Sequence, residues 1–223
     1  MRVVEVFDSI QGEGPQQGRV ATFIRLAGCN LKCSFCDTPY AQKAGDEMPI
    51  SDVRDKMVVA RECYGSDHLF VITGGEPMVQ APDLFMLLGN YFARSAKRAN
   101  VAIETNGTIA PSRELLVRFT PKFVVSPKKG NVNAAALKAL ALADSDFKFV
   151  IDPRGVESFT MDEARAIWND LELPASRIWL QPMAKDKKTL GSAGRWVWEQ
   201  CVKHGVNYSP RLHVSLYGDK RGV

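Results

Sequence analysis

A chain of 223 residues, 45% of them hydrophobic, is long enough to bury one ordinary core. Its 29 Lys and Arg against 25 Asp and Glu leave a net charge of +4, too mild for the concentrated basic stripe of a nucleic-acid binder, so no direct nucleic-acid partner is expected. No run approaches the ~18 apolar residues of a membrane span, and five cysteines, three of them clustered, argue for a reducing, cytoplasmic setting rather than a disulfide framework.

Taken in order, Arg2 to Ser9 alternates weakly and predicts a strand, which ends at the turn-forming Ile10-Gln11-Gly12-Glu13-Gly14-Pro15. Ala21 to Leu26 predicts a second strand; Arg25 interrupts it near its C-terminal end, where a charge faces either solvent or a ligand. The loop Gly28-Cys29-Asn30-Leu31-Lys32-Cys33-Ser34-Phe35-Cys36-Asp37-Thr38 follows directly. After a polar loop from Gln42 to Pro49, a helix is expected from an N-cap at Ser51, through Val53, Met57 and Ala60, to Cys63-Tyr64-Gly65, with Cys63 a core thiol. Leu69 to Thr73 is a short apolar run, hence a buried strand, ending in Gly74-Gly75-Glu76-Pro77. The next helix runs from near Pro82 to Arg98.

The unit then recurs. Val101-Ala102-Ile103 leads into Glu104-Thr105-Asn106-Gly107, and Phe123-Val124-Val125 into Ser126-Pro127-Lys128-Lys129-Gly130. An alanine-rich helix from about Asn133 to Leu142 and a strand from Phe147 to Ile151 precede Thr160-Met161-Asp162-Glu163, a capping-box pattern. Ile178-Trp179-Leu180 runs into Gln181-Pro182-Met183. A helix from about Gly191 to Lys203 and a last strand from Leu212 to Leu216 complete the chain. Alternating βα units predict an α/β fold with a mostly parallel sheet, whose ligands gather at the C-terminal strand ends. The polar clusters all lie just after strands and would form one rim around one mouth. The chain is shorter than the ~250 residues of a full eightfold barrel, so an incomplete TIM-like βα barrel is expected. No linker divides it, and residues 1–223 read as a single domain.

The cysteines Cys29, Cys33 and Cys36 are spaced C-x3-C-x2-C. Thiolates this close can converge on one soft metal centre. A structural zinc site is usually closed by four ligands, yet after Cys36 the next candidates, Cys63 and His68, form no second pair. Three thiolates on a cubane of four irons leave one iron open; a zinc knuckle is the competing reading. Gly74 and Gly75, lacking Cβ, allow a ligand close to the backbone, and backbone carbonyls or Glu76 are candidate acceptors for an amino group. Glu104, Asn106, Ser126 and Gln181 suit ribose hydroxyls and a purine. Asn30 and Lys32 read as spacers, Lys148 as a strand charge, and His213 as structural unless it touches a substrate.

C-x3-C-x2-C with Phe35 before the last cysteine resembles the radical S-adenosylmethionine (SAM) superfamily. Together with Ile10 to Gly14, Phe23 to Cys29, Cys36-Asp37-Thr38, Thr73 to Pro77, Glu104 to Gly107, Ser126-Pro127-Lys128 and Gln181-Pro182, it resembles the 7-carboxy-7-deazaguanine synthase family of queuosine and 7-deazapurine biosynthesis. The resemblance implies a Mg²⁺-dependent lyase that converts 6-carboxy-5,6,7,8-tetrahydropterin to 7-carboxy-7-deazaguanine with loss of ammonia, using a [4Fe–4S] cluster and SAM. By that resemblance Cys29, Cys33 and Cys36 hold the cluster. Phe35, Cys36, Asp37, Gly75, Ser126, Pro127, Lys128, Gln181, Pro182, Met183 and Ala184 contact SAM, and Thr38 ligates Mg²⁺. Ile10, Gln11, Gly12, Arg25 and Thr73 hold the pterin substrate, with Glu13 a further candidate for its aminopyrimidinone edge. A homodimer and a flavodoxin or ferredoxin electron donor are implied as well. Another small radical SAM enzyme, such as a glycyl-radical-enzyme activase, shares the cysteine spacing but has no evident use for Gln11 to Gly14, Arg25 or Thr38. Where some members carry a Gln-Thr-His-Lys-like segment, this chain ends Leu212-His213-Val214-Ser215-Leu216-Tyr217-Gly218-Asp219-Lys220-Arg221-Gly222-Val223, a departure at the C-terminal substrate contacts.

Overall fold

A computed structural model describes residues 1–93, 100–184, 186–218, 220 and 222. The opening hairpin pairs β1 (Arg2–Ile10) antiparallel with β2 (Val20–Leu26), and β1 carries the two-residue β3 (Asp46–Glu47) on its outer edge. From β2 onward each neighbour is parallel: β4 (Leu69–Gly74), β5 (Asn100–Thr105), β6 (Lys122–Val125), β7 (Asp146–Ile151), β8 (Ile178–Pro182) and β9 (Asn207–Tyr208). The spatial order β3-β1-β2-β4-β5-β6-β7-β8-β9 does not return on itself. It is the expected incomplete barrel, an open sheet wound by βα units.

One helix joins each successive parallel pair: α1 (Ile50–Tyr64), α2 (Ala81–Ala93), α3 (Arg113–Phe119), α4 (Ala134–Leu142), α5 (Met161–Asp170) and α6 (Lys187–His204). Their starts follow capping chemistry. The hydroxyl of Ser112 accepts from Leu115 N–H, the amide oxygen of Asn133 from Ala136 N–H, and the carboxylate of Asp186 from Thr189 N–H. Thr160 and Glu163 close the expected capping box.

Several boundaries differ from expectation. The N-cap of α1 is Pro49 rather than Ser51, whose hydroxyl bonds Asp52 instead. Helix α6 begins at Lys187, because Asp186 caps it and Gly191 and Gly194 are helix interior; a Cβ on Gly194 would stand 3.0 Å from the Tyr208 hydroxyl. Cys63 is exposed, not a core thiol, because the buried stripe of α1 is Val53, Met57 and Ala60. The expected last strand is a short helix, α7 (Leu212–Tyr217). The apolar alternation there carries no buried face: Val214 alone is buried and Leu216 is 65% exposed. The expected helix end at Arg98 and the terminal Asp219, Arg221 and Val223 lie outside the described residues.

Strand alternation sorts side chains by size. The outward face carries Ile24, Leu26, Phe70, Ile72, Phe123, Phe147 and Phe149, packed in one cluster with Met57, Leu84, Leu137, Trp168 and Val197 of the helices. Each such burial is worth ~1.5–3 kcal/mol. The inward face is small at its base, where Ala21, Leu69, Val71 and Ala102 form a separate cluster with Phe23. Further along the same face stand Arg25, its register partner Thr73, Glu104 and Lys148, and these are polar. Big residues thus anchor the helices, while small and charged ones leave the concave side hollow.

Residues 11–14 cross that hollow. The side-chain amide of Gln11 donates to Glu104 on β5, Glu13 pairs with Lys148 on β7, and Gly14 N–H donates to the hydroxyl of Ser209 beyond β9. The carbonyl of Gly12 accepts from Leu212 N–H at the start of α7. The segment therefore runs from the first strand to the last helix and walls the side that the sheet leaves open.

Candidate active site

The hollow opens at the C-terminal strand ends into a cleft of about 620 Å³. The three clustered cysteines line it, as do Phe35, Asp37 and Thr38 of the same loop. The other rim positions expected from the sequence also line it: Ile10, Gln11, Gly12, Glu13, Arg25, Thr73, Gly75, Ser126, Lys128, Gln181, Pro182, Met183 and Ala184. Pro127 is buried and does not.

The cysteine loop is fixed by its neighbours. Gly28 adopts φ +89° and donates to the carbonyl of Ala41, while its own carbonyl accepts from Glu76 N–H at 2.8 Å. Gly74 and Gly75 have no room for a side chain. A Cβ would come within 2.1 Å of the Leu26 carbonyl oxygen at the first and 2.0 Å of the Gly28 carbonyl oxygen at the second. The β4 turn is thus pressed directly onto the loop that bears Cys29. Asn30 is more than a spacer: its amide donates to Thr108 and accepts from Asn106, tying the cysteine loop to the β5 turn.

Glu76, weighed above as an acceptor for a ligand, is fully buried and committed to structure. Its carboxylate accepts from Met78 N–H, Asn106 N–H and the Thr105 hydroxyl. Burial pushes its pKa up against those three bonds.

All three thiols are free, and Cys63 and Cys201, exposed on α1 and buried on α6, do not line the cleft. Among the described residues no three His, Cys, Asp or Glu side chains converge on a single-ion site. A cubane asks for something wider, one thiolate at each of three irons, and three unpaired thiols on one loop facing one cleft fit that donor set. Burial raises the thiol pKa of Cys29 and Cys33, with the Lys128 ammonium partly offsetting it at Cys33. Lys128 bonds the Ser126 hydroxyl at 2.7 Å and lies over the Phe35 ring.

Lining the same cleft is a buried charge network that sequence reasoning did not assemble. Glu13 Oε2 is 2.6 Å from Lys148 Nζ, Glu13 Oε1 is 2.9 Å from Arg211 Nε, and His213 Nε2 lies 3.8 Å away. Burial raises the Glu13 pKa, but Lys148, Arg211 and His213 outweigh it and hold the carboxyl far below its ordinary range. Lys148 is therefore a cleft-lining residue of the network and not only a strand charge. The signal available for it was its inward register on β7, shared with Val150. His213 stands on a helix, not a strand, and faces the cleft.

On the hairpin side, Arg25 Nε bonds Glu5 at 2.7 Å and its guanidinium lies over Phe7, which stacks on Phe23. Glu104 accepts from both Gln11 and Thr73. Among the described lining residues, Arg25, Lys128, Lys148, Arg211 and Lys220 face Glu13, Asp37 and Glu104. The cationic excess favours anionic ligands.

Residues 23–120 match the family model of the Radical SAM superfamily. A 7-carboxy-7-deazaguanine synthase of Pyrobaculum aerophilum is 36% identical, covering 100% of this chain and 97% of that protein. The synthase of Hyperthermus butylicus is also 36% identical, over 96% of this chain and 92% of its own length. The crystal structure of QueE from Escherichia coli superposes with a TM-score of 0.66 at 24% identity, covering 95% of this chain and 94% of that one.

Proposed function

The chain belongs to the 7-carboxy-7-deazaguanine synthase family, and from that membership we propose how this cleft divides the work of a radical SAM lyase in 7-deazaguanine biosynthesis. The observation that carries the reading is that three free thiols share one cleft with Gln11, Glu13, Arg25 and Thr73, the set assigned here to the pterin. A glycyl-radical activase, which acts on a protein partner, has no evident use for Gln11 to Gly14, Arg25 or Thr38.

Cys29, Cys33 and Cys36 hold a [4Fe–4S] cluster, and SAM occupies the side of the cleft formed by Phe35, Gly75, Ser126, Lys128 and the Gln181–Ala184 turn. When bound, the two supply a 5′-deoxyadenosyl radical; every other task falls to the chain. The close backbone approach at Gly75 leaves the β4 turn free of side-chain bulk beside Cys29. Lys128, desolvated and 2.7 Å from Ser126, offers its ammonium to a carboxylate.

The substrate, 6-carboxy-5,6,7,8-tetrahydropterin, lies against the crossing segment. Gln11 and Glu13 meet the aminopyrimidinone edge, and the ionised state of Glu13 keeps it an acceptor for ring N–H donors. Arg25 approaches the substrate carboxylate with the guanidinium edge that Glu5 does not engage through Nε. Thr38 presents its hydroxyl, 3.9 Å from Cys36 Sγ, to Mg²⁺, a hard cation that accepts few protein oxygens and keeps its waters. Holding the substrate from both ends points one C–H bond toward the cysteine side, which is catalysis by positioning. The whole chain acts as one domain. A homodimer, a flavodoxin or ferredoxin donor and a place in tRNA modification accompany this reading from the family.

Anaerobic incubation of reconstituted protein with SAM, reductant, Mg²⁺ and carboxytetrahydropterin is expected to yield the deazapurine, detected by mass. SAM cleavage without that product would refute the substrate assignment.

A further inference from the structure

One side chain touches all three parts of the cleft at once. Arg211 is 6% exposed and stands between β9 and α7. Its Nε donates to Glu13 Oε1 at 2.9 Å, on the crossing segment that faces the substrate. One Nη donates to Asp37, the residue after Cys36, and the other to the carbonyl of Ala184 in the turn beyond β8. The three acceptors come from three separate loops, and a planar guanidinium fixes the angles among its donors.

We propose that Arg211 is a positioning residue that sets the substrate-facing segment, the cysteine loop and the β8 turn in register, so that occupancy of the pterin side and of the SAM side are energetically coupled. The proposal rests on the assignment of those two sides given above. Its physical basis is that no one of the three loops can shift without dragging the fork, and with it the other two. Lys148 holds the second oxygen of Glu13, so that carboxylate remains paired when Arg211 is altered. A purely structural arginine would contribute stability alone; a latch carries coupling, and coupling is reciprocal between the two ligands.

The test measures SAM affinity of the reconstituted enzyme by anaerobic calorimetry, with and without carboxytetrahydropterin, together with 5′-deoxyadenosine formed per deazapurine. Iron content and melting temperature are recorded alongside. In the wild type the pterin should tighten SAM binding. In Arg211→Lys, which keeps the charge but loses the fork, that enhancement should fall by about tenfold, the scale of one lost charge-assisted hydrogen bond. Deoxyadenosine per product should rise, while iron content is retained. Arg211→Gln should do the same more strongly.

The proposal is overturned if the wild type shows no enhancement, or if both variants keep it and lose only melting temperature. Should the Arg211 variants fail to hold iron, Asp37→Ala, on a carboxylate 57% exposed, decides: it should lower the enhancement, and unchanged coupling there refutes the latch. A wild type that makes no deazapurine refutes the functional reading itself, a result distinct from any of these.

Discussion

Replacing Lys148 with Met keeps an unbranched apolar stem of similar length on β7 and removes the ammonium. That ammonium is 2.6 Å from Glu13 and its side chain is 8% exposed. Breaking a buried pair by removing one partner costs ~3–5 kcal/mol when the survivor is left alone. Here Arg211 still engages the other oxygen at 2.9 Å, which places the loss nearer the ~1.5–3 kcal/mol of a hydrogen bond to a charged group, about 2 kcal/mol. For a chain of this size, at ~2–4 °C per kcal/mol, the melting temperature should fall by about 4–8 °C. The pH dependence gives a sharper check. Glu13 has a depressed folded-state pKa, so its pairing stabilises the protein above the ordinary carboxylate value of 4.5 and is lost as pH falls through the folded value. The gap between wild type and Lys148→Met should therefore be full at neutral pH and narrow in acid. Urea unfolding of the reduced apoprotein at several pH values measures it, with Glu13→Gln and the double variant completing a cycle. A loss below about 0.5 kcal/mol, a gap indifferent to pH, or strict additivity in the cycle would refute the reasoning.

Cys33→Ala should abolish iron binding with little change in stability, because Cys33 sits half-buried on a loop outside the helix-facing core; a retained cluster spectrum would overturn the ligand assignment. Gly75→Ala places a methyl 2.0 Å from the Gly28 carbonyl oxygen, so the cysteine loop must move; a loss of ~1–3 kcal/mol and reduced iron retention are expected, checked by melting and iron analysis. Thr38→Ala should blunt the magnesium dependence of turnover while leaving iron content intact, and an unchanged magnesium response would discard the metal role of that hydroxyl.

What the sequence disclosed is what local periodicity and punctuation encode. The apolar runs at Leu69 to Thr73 and Phe147 to Ile151 are strands because both of their faces are covered, and the polar turns after them share one cleft because parallel strands end on one side. The three thiols were legible because they are eight residues end to end. The network that joins Glu13 to Lys148 and Arg211 was not, since those partners lie 135 and 198 residues from it and meet it only through the topology. The helix α7 is not legible because six residues are too few for one period to outweigh another. Glu76 shows a further limit: a carboxylate beside two glycines looks available to a ligand until the backbone donors of Met78 and Asn106 claim it.

The wall that residues 11–14 provide is held by bonds between the two ends of the molecule, spanning 195 residues from Gly14 to Ser209. Separation of that kind adds little to the equilibrium cost, since each doubling of a closed loop adds only ~0.6 kcal/mol, but it belongs to the slowest class of contact to form. A nascent chain that has reached α6 already carries Cys29, Cys33 and Cys36 and the turns after β2, β4, β5, β6, β7 and β8, yet its chamber is still a trough. Only the addition of Ser209 and Leu212, which bond Gly14 and Gly12, turns that trough into an enclosure.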